Sequence, residues 1–195
     1  MNVQSLDRRT DPTPYFDTIE AFFDWSDRRE EKYELVDGVP HLLPNVRLNH
    51  MRVVVDLTAL LAEQLDMDEF EPTIGDFAVE VGPRSVRYAD IMIIPAGKPG
   101  RSLRTSDAVV LFEVLSDSTM HVDFGAKLGE YQRLDSLSTY LILDQNQPRV
   151  WRWSRQDDGK WPNEPAILTE GTIELKRPTL SLPLERIYAR IRPDG

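Results

Sequence analysis

Two apolar runs in the middle of the chain dominate its hydrophobic pattern. They read Arg-Tyr-Ala-Asp-Ile-Met-Ile-Ile at 87–94 and Val-Val-Leu-Phe-Glu-Val-Leu-Ser at 109–116. Both are rich in β-branched and large apolar residues, which predicts two buried strands. Each run contains one acid, Asp90 and Glu113, and an unpaired carboxylate in a core is costly. These two acids are therefore the first candidates for a function.

The stretch after the second run has the spacing of a helix. A serine and a threonine at 118–119 are candidate caps, and Asp123, Lys127 and Tyr131 recur every four residues on one helical face. A helix over 118–134 would bring a lysine to the two strand acids. We expect this combination to form a metal and phosphate site.

Helical and strand periods alternate along the rest of the chain. The pattern predicts a short amphipathic helix after the capping residue Thr18 and a main packing helix over 49–65. An Asp37-Gly38 turn predicts a hairpin. Further strands are predicted at 70–74, 77–81, 139–144 and 149–153, with weak strand material at 167–175 and a closing helix at 184–191.

The order of the elements predicts the topology. A meander is the simplest connection of the three strands between Phe70 and Ile94. The strand, helix, strand order from Val109 to Asp144 predicts a parallel pair with a right-handed crossover. The predicted fold class is mixed α/β (α+β), with a mixed central sheet flanked by helices, added antiparallel hairpins and acids at one sheet end.

Composition narrows the class of protein. The chain has 195 residues and no cysteine, which predicts one domain over 17–195 behind an arm at 1–16 and excludes disulfides and thiolate chemistry. The start lacks a signal-peptide pattern and no apolar stretch is long enough to span a membrane, so we expect a cytoplasmic protein without membrane contact.

Charge restricts the mode of nucleic-acid binding. The net charge of −10 argues against a broad, non-specific nucleic-acid binder but leaves room for a nuclease with a local basic groove. The loop at 95–107 carries Lys98, Arg101 and Arg104, and it is the one obvious positive patch that the sequence predicts near the site.

A family resemblance rests on several motifs in a fixed order. The chain resembles the Uma2 family of restriction-endonuclease-type proteins, which have the PD-(D/E)XK nuclease fold, over roughly residues 17–155. This resemblance implies a metal-dependent nuclease core acting on nucleic acid, with DNA favoured over RNA. The motifs are Tyr33-Glu34-Leu35-Val36-Asp37-Gly38, Arg87-Tyr88-Ala89-Asp90-Ile91, Phe112-Glu113-Val114-Leu115-Ser116-Asp117-Ser118-Thr119, then Asp123, Lys127, Tyr131 and Tyr140-Leu141-Ile142-Leu143-Asp144.

The resemblance places the first family acid on Asp90, the second on Glu113 and the catalytic lysine on Lys127. Ala89 stands where the family usually has proline, with further departures at Asp117, Leu141 and Gln145. None of these removes a ligand. The general nuclease pattern has a lysine two residues after the second acid, but that position is Leu115 here. Either the lysine comes from the helix, as the family pattern suggests, or the site lacks one.

Phosphodiester cleavage assigns roles to these side chains. Carboxylates are natural ligands of Mg²⁺ or Mn²⁺, so Asp90 and Glu113 would hold the ion, with the backbone carbonyl of Val114 as a further candidate. Lys127 would orient the nucleophile or neutralise charge developing on the phosphate. Glu34 is a candidate third acid, either for a second ion through water or for orienting Lys127.

Each assignment has an alternative without a catalytic role. Asp90 could end a strand or pair with Arg87, and Lys127 could form an ordinary surface pair with Asp123. The three histidines lack metal-site spacing and are interpreted as structural or exposed. Other functions remain open: a non-catalytic binding module with a nuclease-like fold, which could be a homodimer, or a metal-dependent hydrolase of smaller phosphate esters.

Overall fold

The computed structural model describes residues 13–115 and 122–192, the side chains of residues 122 and 123 excepted. The helices in this part of the chain are α1 (Ile19–Ser26), α2 (Leu48–Gln64), a π-helical segment (Val122–Lys127) that continues into α3 (Leu128–Tyr131), and α4 (Leu184–Ile187). None of these described helices has the length and apolar character needed to cross a membrane.

The helices largely follow the sequence prediction. The Thr18 side chain accepts a hydrogen bond from the Ala21 amide at 3.2 Å, which confirms the predicted cap of α1. The predicted helix over 118–134 is shorter in its described part, where a π-helical segment precedes one α-helical turn. Gly125 and Gly129 lie in this region, and glycine disfavours a regular helix.

The larger sheet forms the centre of the protein. Its six strands run in the order β11-β10-β9-β8-β6-β3. Their bounds are β3 (Phe70–Ile74), β6 (Ile91–Pro95), β8 (Val110–Leu115), β9 (Thr139–Asp144), β10 (Val150–Ser154) and β11 (Ala166–Leu168). β8 and β9 are parallel and the other pairs are antiparallel, which confirms the predicted parallel pair and the mixed sheet.

A second sheet of five strands has the order β2-β1-β5-β4-β7. Its strands are β1 (Tyr33–Val36), β2 (Val39–Leu42), β4 (Ala78–Gly82), β5 (Ser85–Arg87) and β7 (Arg104–Thr105). β1 and β2 form the predicted hairpin, and both turn residues have positive φ, +48° at Asp37 and +83° at Gly38. A separate hairpin joins β12 (Thr172–Lys176) to β13 (Thr179–Pro183).

The predicted meander is wrong. β3 pairs with β6 along all five of its residues, whereas β4 and β5 pair in the second sheet. The run at 87–94 is not one strand, because residues 88–90 leave the ladder between β5 and β6 and carry the chain from one sheet to the other. Asp90 is the last residue of this crossing.

Both faces of the larger sheet are buried, which explains why its central strands are almost continuously apolar. One face packs against α2, β13 and α4. The other packs against α3, so that alternate residues of β8 belong to different cores: Phe112 and Val114 face the α2 side, and Leu111 and Leu115 face the α3 side.

The loop at 95–107 is not the predicted basic patch beside the site. It connects the end of β6 farthest from Asp90 to the beginning of β8. Lys98 is paired with Asp107, and Arg104 is paired with Glu20 and Glu80 at 2.7 Å each. The cationic charge of these two side chains is therefore balanced by neighbouring carboxylates.

Candidate functional site

Glu113 is a charged residue within a buried strand. It is 3% exposed, and the alternation of β8 directs it to the sheet face covered by α3. Its Oε1 accepts hydrogen bonds from Lys127 Nζ and from the Tyr131 hydroxyl, each at 2.9 Å. The π-helical segment and α3 thus bring Lys127 and Tyr131 to the acid, as the four-residue spacing predicted.

Asp90 lies beside the same strand. Its Oδ2 accepts a hydrogen bond from the Val114 amide at 2.7 Å and lies 3.1 Å from His50 Nε2. Val114 follows Glu113 directly, so the backbone contact ties the two acids to neighbouring points of β8. The Asp90 side chain is 23% exposed, whereas those of Glu113 and Lys127 are almost fully buried.

The two acids share one cavity of about 640 Å³, which Val114 and Lys127 also line. Its other charged lining residues are Glu30, Glu31, Lys32 and Asp76. The lining therefore holds five carboxylates and two lysines, together with His50. Such an excess of negative charge repels a phosphate group unless a cation offsets it.

Tyr131 acts as a fixed hydrogen-bond donor. It is fully buried, and burial, reinforced by the negative charge of Glu113, raises the pKa of Tyr131 well above its ordinary value. The phenol therefore keeps its proton and holds Glu113 Oε1 in place. Tyr88, which lines the cavity, has a pKa raised to about 12 by burial and by the charges of Asp76 and Asp27.

Glu34 lies in a separate buried ion cluster with Arg87. Arg87 Nη1 donates to Glu34 Oε1 at 2.5 Å, and its Nε and Nη2 donate to the two oxygens of Glu130 at 2.6 and 2.8 Å. Burial alone would lower the pKa of Arg87, but the hydrogen bonds to Glu130 and the charge of Glu34 raise it overall. Within the described residues Glu34 Oε2 is buried without a partner.

Among the described residues, the Glu34 carboxylate contacts Arg87. The cluster borders the site, because Glu130 precedes Tyr131 in α3 and Glu34 contributes to the raised pKa of Tyr131. The proposed third-acid role of Glu34 stays a prediction. Arg87 pairs with Glu34 and Glu130, so the alternative in which it would pair with Asp90 is not what the structure shows.

The sequence interpretation missed His50. It was treated as structural or exposed, yet it is 4% exposed, lines the cavity and contacts Asp90. Its position in the first turn of the main packing helix, on the face that carries Val53 and Val54, was the available signal. Ser116 and His121 lie outside the described residues, as does the side chain of Asp123.

The donor set fits a hard divalent cation in part. Asp90 and Glu113 supply two carboxylates. The backbone of Val114, which follows Glu113, donates a hydrogen bond to Asp90 and lines the same cavity. Among the described side chains, no group of three or more histidine, aspartate and glutamate residues is arranged to hold a metal ion. A two-carboxylate site completed by backbone oxygen and water is the arrangement that Mg²⁺ usually accepts.

Comparison of the sequence with protein-family models identifies the family of this chain. The model of Uma2, described as "Putative restriction endonuclease", matches residues 19–185. The chain belongs to the Uma2 family. Two uncharacterised proteins of Synechocystis sp. (strain ATCC 27184 / PCC 6803 / Kazusa) are similar to this Uma2 chain. The first, slr1290, is 27% identical over 175 residues, which is 87% of this chain and 90% of the relative. The second, sll1609, is 26% identical over 157 residues, 78% and 86% of the two chains.

A solved structure confirms the fold of this Uma2 chain. The crystal structure of a protein from Anabaena variabilis ATCC 29413, described as a "putative nuclease belonging to DUF820", superposes with a TM-score of 0.70. The match covers 88% of this chain and 97% of the other at 11% sequence identity. At that identity the likeness shows the fold alone, and it agrees with the predicted nuclease-like α+β core.

Proposed function

We propose that this Uma2 protein is a metal-dependent nuclease that hydrolyses phosphodiester bonds in DNA with Mg²⁺ or Mn²⁺. The observation that carries the proposal is the meeting of Asp90 and Glu113 in one cavity beside Lys127. The family and the fold support a nuclease, and the acid-rich lining supports the need for a cation.

Asp90, Glu113 and the Val114 carbonyl would hold the ion. When bound, the ion lowers the pKa of water and polarises the phosphate. The protein prepares Asp90 for this role by fixing Oδ2 with the Val114 amide and His50. Among the contacts of the described residues, Oδ1 of Asp90 accepts no hydrogen bond and is available as a ligand.

Lys127 and Tyr131 would act on the other acid. Tyr131 holds Glu113 Oε1, and the Lys127 ammonium supplies a positive charge at the cavity wall. An ammonium group in a water-poor site stabilises charge that develops on a phosphate in the transition state. The lysine reaches the site from the helix, because Leu115 occupies the strand position two residues after Glu113.

A non-catalytic module is the second candidate. The observation that favours it is the same Lys127–Glu113 ion pair, since a buried carboxylate with two hydrogen-bond donors is stabilised without a metal ion. The two candidates differ in metal binding.

Calorimetric titration with Mn²⁺ tests the proposal. Wild type should bind Mn²⁺, whereas Asp90→Asn and Glu113→Gln should each lose this binding. In a plasmid assay, wild type should nick or linearise DNA in an EDTA-sensitive manner, and both variants should lose this cleavage. Glu164→Gln, at an exposed position outside the cavity, is the matched control and should behave as wild type. Cleavage that survives in either acid variant would overturn the site assignment, and a wild type without Mn²⁺ binding or cleavage would favour the non-catalytic module.

A further inference from the structure

The outer face of α2 is apolar along its whole length. Five residues on this face are exposed to solvent: Leu48, Met51, Val55, Ala59 and Ala62. Their spacings of three, four, four and three residues align them in one stripe, called here the α2 stripe. A surface helix normally presents polar residues on this side. The α2 stripe therefore has the character of a contact surface.

The sizes of these residues follow a symmetric pattern. Large side chains occupy the N-terminal half of the α2 stripe and alanines occupy the C-terminal half. Leu48 and Ala62 each lie seven residues from Val55, and Met51 and Ala59 each lie four residues from it. Reversing the direction of the helix about Val55 thus exchanges every large residue with a small one.

We propose that a second copy of this chain packs on the α2 stripe, with the two α2 helices antiparallel and a two-fold axis passing beside Val55. Leu48 then meets Ala62 of the second copy, Met51 meets its Ala59, and Val55 meets its own counterpart. Alternation of large and small residues lets two helices approach closely. The interface is isologous, as in most homodimers.

The self-matching pattern favours a second copy over a foreign helix. A foreign partner requires only an apolar stripe, and it imposes no relation between the two halves of α2. Two pairs of positions, each matching a large residue with a small one and both centred on Val55, are the relation that a two-fold axis requires. Exposed Leu42 and Val46 beside the cavity extend the apolar surface at the Met51 end.

The length of α2 limits the area of the interface and therefore the affinity of the dimer. The 17 residues of α2 span about 25 Å, so a single pair of helices gives an interface at the small end of specific contacts. We therefore expect reversible association with a dissociation constant on the order of 10 µM.

The arrangement also relates the two candidate sites. Met51 lines the cavity on one side of the stripe, and a two-fold axis perpendicular to the plane of the paired helices puts both cavities on the same side. The two Met51 positions would lie about 12 Å apart along the helix axis, from the rise of 1.5 Å per residue.

Sedimentation velocity from about 1 to 100 µM, a range bracketing the expected dissociation constant, tests the association. Wild type should shift from monomer to dimer. Val55→Glu should stay monomeric, because two like charges would meet at the axis. Leu103→Glu is the matched control, since Leu103 and Val55 are both 50% exposed, and it should dimerise as wild type does. A monomeric wild type, or a dimer that persists in Val55→Glu, would overturn the proposal and assign the stripe to another occupant.

Cysteine cross-linking tests the register. The chain has no cysteine, so each single substitution introduces one thiol. At a helix separation of 8–10 Å the Cα atoms at the axis lie about 5 Å apart, within disulfide range. With diamide, which accepts the two electrons and two protons released by two thiols, Val55→Cys should form covalent dimers and Leu103→Cys should not.

The pair of positions Leu48 and Ala62, which lies away from the two-fold axis, distinguishes the antiparallel register more clearly than Val55 does. Leu48→Cys mixed with Ala62→Cys should form mixed dimers, whereas Ala62→Cys alone should not cross-link efficiently. Equal cross-linking of Val55→Cys and Leu103→Cys, or cross-linking of Ala62→Cys alone at the rate of the mixture, would refute the antiparallel register. These outcomes do not depend on the proposed nuclease activity.

Discussion

Replacing Arg87 with methionine removes the cation from the buried cluster beside the candidate site. Methionine keeps much of the length of the side chain but leaves Glu34 and Glu130 without their shared partner. Breaking a buried ion pair by removing one partner costs about 3–5 kcal/mol of unfolding free energy. We expect about 3 kcal/mol here, since the Glu130 side chain is 14% exposed and water can solvate it in part.

Guanidinium denaturation followed by tryptophan fluorescence measures this loss. Arg186→Met is the matched control, because Arg186 also makes a two-pronged contact with one glutamate, Glu63, at 2.8 and 2.9 Å. Both partners of that pair are about half exposed, so solvent screens the pair and its loss should cost much less than the loss of Arg87. The difference between the two variants isolates the effect of burial.

Two further readouts separate charge from packing. Acidification should narrow the stability gap between wild type and Arg87→Met, because protonation neutralises the stranded carboxylates. Adding Glu34→Gln to Arg87→Met should recover part of the loss, since it removes one unpaired charge. If Arg87→Met costs no more than Arg186→Met and its cost does not change with pH, the cluster does not stabilise the fold in the way argued.

Substitutions at three other residues test the individual contacts of the site. Lys127→Met should lower the cleavage rate about 10²–10³-fold while changing Mn²⁺ affinity less, and equal losses would indicate that the lysine only organises the site. His50→Leu should weaken Mn²⁺ binding about 10–100-fold, because Asp90 loses the contact that positions it. His50→Gln retains an N–H donor and should weaken the binding less. Unchanged Mn²⁺ affinity in His50→Leu would exclude a role of His50 in positioning Asp90. The raised pKa of Tyr131 means that its stabilisation is present below pH 10 and is lost as the pH rises toward the folded-state pKa. Tyr131→Phe should therefore lose stability less steeply than wild type above about pH 10 in alkaline denaturation, and identical slopes would contradict the assignment.

Local sequence signals predicted the elements on which the site is built. Glu113 within an apolar run and the four-residue spacing of Lys127 and Tyr131 were sufficient to predict that these side chains approach one another. The Asp37-Gly38 turn and the parallel β8–β9 pair were predicted for the same reason, because each depends on short stretches of chain.

Long-range pairing was not predictable in the same way. Nothing local distinguishes a meander from the observed arrangement, in which the β4–β5 hairpin is inserted between β3 and its partner β6. The choice depends on which apolar faces the two sheets bury. Ion pairing was missed for a similar reason. Nothing in the sequence indicated that the basic residues of the 95–107 loop would be paired. Arg104, however, forms an ion pair with Glu20, which is 84 positions away, and is therefore not available for the predicted contact with phosphate.

The crossing at residues 88–90 explains why Asp90 and Glu113 line one cavity even though the predicted strand topology was wrong. Because the chain leaves the second sheet after Arg87, that residue stays with Glu34 of β1, while Asp90 directly precedes the first residue of β6 and lies beside β8. The residues on either side of this crossing therefore serve two sheets. Arg87, directly before it, holds the ion cluster with Glu34 and Glu130, and Asp90, its last residue, supplies an acid to the cavity. A regular strand through the crossing would direct Asp90 according to the alternation of a ladder. Because it lies outside the ladder, Asp90 turns its carboxylate toward the Val114 amide, and this contact holds it at the wall of the cavity.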